Sequence, residues 1–187
     1  VTRPAKKALI WALEPLKAKK LAQTLLDQGW EVISVEDEGQ ELNLPSSQTI
    51  DSSEASQMIR NLNCPAFGLI AIELFDFREL LRETADYWSG VQKINPDAIF
   101  GLLQAVREHH AVTVVCDSSF YEKISRSIQH ADEVLPNLRE DLAAQSLHKL
   151  AENIWAMVAF LNLNNRQAQE SLRRQGKLPL SISVKSQ

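Results

Sequence analysis

Cysteine is scarce in this chain of 187 residues: only Cys64 and Cys116 occur, and no CxxC pair is present. Two thiols so placed make neither a disulfide framework nor a zinc site. Cys116 closes the apolar run Val112–Cys116, where a buried thiol behaves as a small hydrophobe. Long hydrophobic runs are missing as well. Nothing approaches the roughly 20 apolar residues of a membrane helix, and the basic start Val1–Lys7 is not followed by a signal-type apolar region. The expectation is a cytoplasmic protein with no membrane partner. An excess of positive charge is the third absence. With 20 Lys and Arg against 24 Asp and Glu, the formal net charge is −4. A nucleic-acid face needs a concentrated surplus of cations, so no nucleic-acid partner is expected. There is no internal repeat and no low-complexity segment.

What is present is an ordinary globular composition, 44% hydrophobic and 24% charged. It suffices for one sizeable core with a helical appendage. Ala8–Ala12 reads as a buried first strand. Leu16–Gln28 carries apolar residues at helical spacing and stops at Gly29, a C-cap. Trp30–Val35 alternates and is β-branched, which makes a second strand and closes a right-handed parallel βαβ unit. Glu36–Ser53 is polar and serine-rich, and reads mostly as loop, with a short helix over Ser53–Asn61. Phe67–Leu74 and Ala111–Cys116 are the third and fourth strands. Helices are expected over Asp76–Trp88, Asp97–His109, Ser119–Ile128 and Leu138–Leu163, and Leu178–Val184 alternates like a strand. The pattern defines an α/β fold: a three-layer, Rossmann-like open sheet, mostly parallel, with a C-terminal helical extension. One domain is expected over 1–187, with the sheet at about 8–130 and the extension and tail at about 136–187.

In such a sheet ligands bind beyond the carboxyl ends of the strands. The places to inspect are therefore Leu13–Leu16, Glu36–Gly39, Phe75–Phe77 and Asp117–Ser119. Consecutive acids at Glu36, Asp37 and Glu38 suit a hard divalent cation, but acids in a loop are more often simply solvated, and no metal is expected. His109 and His110 could shuttle protons or hold a metal; at a helix end they more often cap carbonyls. Asp117-Ser118-Ser119 looks like an N-cap. Trp155 stands in an apolar stripe from Leu142 to Leu161, and burial in the core or at a subunit interface is expected for it. Trp11 is most simply core.

Ala111–Ile124 (AVTVVCDSSFYEKI) is similar to the segment DVTVVVDPADY of the bifunctional AICAR transformylase/IMP cyclohydrolase family. The flanks agree in order. Gln104–His110 (QAVREHH) stands where the family has AAAKNHK, and Gly68–Phe77 (GLIAIELFDF) where it has DLVVVNLYPF. Leu138–Leu161 matches LRRRLAAKAFAHTAAYDAAIANYL, while Ala8–Glu14 (ALIWALE) and Glu31–Ser34 resemble ALISVSD and ELVS. The resemblance covers nearly the whole chain and stops where the transformylase domain would begin. It implies the methylglyoxal-synthase-like fold.

For chemistry the resemblance implies loss. The family's phosphate-holding turns, Ser-Asp-Lys-Thr and S-T-G-G-T, correspond here to Leu13-Glu14-Pro15-Leu16 and Ser34-Val35-Glu36-Asp37-Glu38. Acids then stand where backbone N–H groups of a glycine-rich loop would cradle an anion. The family's catalytic positions fall on Phe75, Asn95 and Arg107, and the asparagine preceding its tyrosine falls on Glu73. An arginine keeps the charge of a lysine but cannot release its proton at neutral pH. The segment GRVKTLHPKIHGG has no counterpart. No residue is assigned a catalytic role; Ser34, Asn95 and Arg107 are the candidate ligand-binding residues. The expectation is a catalytically inactive cyclohydrolase-like domain that binds, scaffolds or regulates, as a homodimer, with a small-molecule or nucleotide ligand and no cofactor. The rivals are an active IMP cyclohydrolase with a remodelled site and a small-ligand sensor. A further expectation pairs Glu36–Glu38 with Arg107 across the pocket mouth, filling it from within.

Overall fold

The computed structural model describes residues 5–13, 15–36, 43–60, 67–74 and 96–174. Its described strands are β1 (Lys7–Trp11), β2 (Glu31–Glu36), β3 (Gln48–Asp51), β4 (Leu69–Ile72) and β5 (Thr113–Val115). They form one sheet in the order β3-β2-β1-β4-β5, and every pairing is parallel. The helices are α1 (Pro15–Asp27), α2 (Ser52–Arg60), α3 (Pro96–Arg107), α4 (Tyr121–Ala131) and α5 (Pro136–Arg174), with a 3₁₀ turn at Ser118–Phe120.

The near-continuous apolar strands are buried on both faces, as a parallel sheet requires. On one face Ala8, Ile10, Leu69 and Ala71 pack with Leu21 and Leu25 of α1 and Ile124 and Ile128 of α4. On the other, Leu9, Ile33, Ile70 and Ile72 pack with Ile59 of α2 and Leu102 of α3. The three-layer architecture read from the sequence is the one observed. Helix α1 ends as expected at Gly29, whose φ is +74°. Trp30 N–H donates to Leu25 O and Gly29 N–H to Leu26 O, both at 2.9 Å, which satisfies carbonyls left over at the helix end. At Gly101 of α3 an added Cβ would stand 2.9 Å from Cδ1 of Ile59, so glycine there sets how closely α3 approaches α2.

Strand β3 departs from expectation. It has four residues, of which only Ile50 is buried, and polar Gln-Thr-Ile-Asp carries too little apolar signal to stand out from a serine-rich loop. A short, polar strand suits an exposed sheet edge, because it offers little to a stray partner. The opposite edge, β5, is protected by α5. That helix places Leu138 and Leu142 in the core on one face and Leu150 in the core on the other. It therefore wraps across the β5 edge. The sequence-expected helix over Asp76–Trp88 and the strand over Leu178–Val184 lie outside the described residues.

Candidate functional site

The chain turns back on itself between β1 and β4. From β1 the path runs outward through α1 to β2 and β3; from β4 it runs the other way through α3 to β5, on the opposite face. Connections leaving in opposite directions open a crevice at the carboxyl ends of those two strands. Glu73 follows β4 and lies across it. Its backbone N–H donates to Trp11 O at 2.9 Å. Its carboxylate Oε2 accepts the N–H of Leu13, just beyond β1, at 2.6 Å. The residue is only 8% exposed. A buried carboxylate needs such charge-assisted bonds to offset lost hydration.

Tyr121, the first residue of α4, completes the group. It is buried, and burial, then the negative charge of Glu73 and a hydrogen bond to that carboxylate, push its phenol well above the ordinary value. The phenol is thus a neutral donor facing Glu73. Beside it, Lys17 Nζ donates to Ser118 Oγ at 3.2 Å. Asp117 acts as the expected N-cap, accepting the Ser119 N–H at 2.8 Å, although what it caps is the 3₁₀ turn ahead of α4.

The sequence-expected site residues do not converge. Ser34 is buried in β2, where its hydroxyl donates to Ser46 at 3.1 Å and lies 3.0 Å from Thr49 Oγ1. These contacts knit β2 to β3. Arg107 is the last residue of α3, and a helix leaving the carboxyl end of one parallel strand must run back to the amino end of the next. Arg107 therefore sits near the start of β5, whereas Glu36 ends β2 at the opposite rim. The expected pairing of Glu36 with Arg107 is excluded by this geometry. Asn95, Phe75, Asp37 and Glu38 lie outside the described residues. Glu36 stands in register with Asp51 and shares a shallow, open basin with Asp51 and Glu54. His109 Nδ1 lies 3.0 Å from Val106 O, the expected helix-end contact. Trp11 is core, as expected. Trp155 is 71% exposed in the isolated chain, which overturns the expectation of core burial.

Sequence reasoning registered Glu73 only as a replaced asparagine and passed over Tyr121. The signal was present, because Tyr121 is the tyrosine that closes the matched segment AVTVVCDSSFY. What no linear pattern displays is that the two residues, 48 positions apart by number, meet over the end of β1.

Fold and crevice together define a doubly wound, all-parallel α/β domain with an acid-filled switch point. Over 77 residues, 41% of the chain, it is 34% identical to the bifunctional purine biosynthesis protein PurH of Lactococcus lactis subsp. cremoris strains MG1363 and SK11. It is 31% identical over the same length to PurH of L. lactis subsp. lactis strain IL1403. The match spans about 15% of the length of these curated relatives. No protein-family model matches the chain. Among solved structures, the crystal structure of ForH superposes with a TM-score of 0.61 at 14% identity, covering 82% of this chain and 97% of that one. The resemblance to a PurH-type domain and the Rossmann-like fold read from the sequence are borne out. Among the described residues no helix is long and apolar enough to cross a membrane.

Proposed function

We infer that this chain is a diverged PurH-like domain that has lost ring-closing chemistry on a nucleotide and serves as a binding and regulatory domain. The observation that carries this reading is the Glu73 carboxylate held on the Leu13 N–H at 2.6 Å inside the switch crevice. The chain's own anion takes a backbone donor that an incoming phosphate would need. Two unit charges of like sign at 4 Å repel by about 4 kcal/mol at an effective dielectric of 20. Glu36, Asp51 and Glu54 add negative charge along the same rim. Arg107, at the far end of the sheet, does not help to hold a ligand in this crevice. A homodimer and a cytoplasmic setting belong to the same reading. The exposed apolar residues Leu147, Ile154, Trp155 and Val158 on α5 support the first, and the free thiol of Cys116 is compatible with the second.

The test is a cyclohydrolase assay on concentrated, purified protein with the formylated aminoimidazole nucleotide. No turnover above background is expected. A rate of roughly 1 per second or more, ordinary for an enzyme, would replace this reading with that of an active cyclohydrolase.

A further inference from the structure

A second cavity lies outside the switch crevice, between the carboxyl end of β5, the 3₁₀ turn and α5. Its volume is about 200 Å³. Its floor is Cys116 and Ser146, the latter 1% exposed. Ser146 Oγ is fully buried and has no hydrogen-bond partner among the described residues. A buried hydroxyl left unsatisfied is costly, and native chains rarely retain one without a use. The remaining wall is charged and mixed in sign: Asp117 on the turn, with Lys149 and Glu152 on α5. Two carboxylates and one ammonium make complementary ends for a molecule that carries both signs. At about 30 Å³ per water, the space holds roughly seven waters, or a compact molecule of similar heavy-atom count.

We propose that this cavity is a binding site for a small zwitterion the size of a free amino acid such as alanine or serine. Its ammonium faces Asp117 and Glu152, its carboxylate faces Lys149, and Ser146 Oγ bonds its polar end. The site is separate from the crevice, so it stands whether or not a nucleotide is turned over there. It is tested by titration calorimetry and thermal shift on the full chain with glycine, L-alanine and L-serine. Acetate, methylamine and inorganic phosphate serve as single-charge probes. Saturable binding of at least one amino acid is expected, tenfold or more tighter than acetate or methylamine. Lys149→Met should weaken it at least tenfold. Ser146→Ala should weaken it several-fold while leaving the ligand-free melting temperature unchanged or raised, because it removes an unsatisfied group. If Lys149→Met lowers the ligand-free melting temperature, Lys149→Arg, which retains the charge, should restore binding in part. The proposal is overturned if no amino acid binds saturably at 10 mM (about ten times a 1 mM Kd). Phosphate binding in preference to the amino acids, or undiminished affinity in Lys149→Met, would overturn it equally.

Discussion

Glu73 couples three segments through one side chain: the end of β1 through Leu13, the end of β4 through its own backbone, and the start of α4 through Tyr121. Glu73→Ala strips the acceptor from a part-buried N–H and from a buried phenol. A loss of about 1–3 kcal/mol is expected from urea denaturation, with a smaller loss for Glu73→Gln, which keeps an acceptor. Equal stability in all three proteins would mean that the crevice solvates these groups by other means. Cys116 permits a second test. Burial pushes its thiol from 9.0 to about 11, against the lowering contact with Ser146. A folded-state pKa above the unfolded one means the contribution is intact below about pH 9 and is lost as pH rises through 11. Two units correspond to about 3 kcal/mol at most, and Tyr121 acts in the same direction at higher pH. Cys116→Ala should therefore lose less stability than wild type between pH 8 and pH 10.5. Parallel losses would remove the thiol from the account.

Among the elements, α5 contributes the largest unmatched apolar surface. Its spacing of Leu147, Ile154 and Val158 places those residues along one side, with Trp155 beside them. A side chain already in water loses little when removed, so Trp155→Ala should alter the stability of dilute monomer by no more than about 0.5 kcal/mol. If the stripe joins two copies, the same change should shift sedimentation toward monomer. A stability loss of 3 kcal/mol or more in dilute monomer would place the indole inside the fold. The strands and helices with strong periodicity were legible from the sequence: β1, β2, β4 and β5 all announce themselves by apolar or β-branched runs. Strand β3 did not, because its pairing is paid by backbone bonds to β2 and hydroxyl contacts at Thr49 rather than by buried side chains. The apolar stripe of α5 was legible too, but periodicity reports that a face exists and not what covers it.

For the whole molecule, the direction of helices decided what the sequence left open about the site. Glu36 and Arg107 look like mouth residues when read along a line, yet a parallel sheet sends every returning helix to its other end. Glu73 and Tyr121 are brought together by the same rule, since both lie just beyond carboxyl ends of the sheet. The strand order has a further consequence for a chain emerging from the ribosome. Strand β1 is made first and sits in the middle, so β2 and β3 can dock on one side while its other side stays unpaired until β4 is made. At 5–20 residues per second, the interval from Trp11 to Leu69 is roughly 3–12 s. For that time the apolar edge of the central strand is open in a nascent chain, and it closes only as Glu73 arrives to bridge the gap.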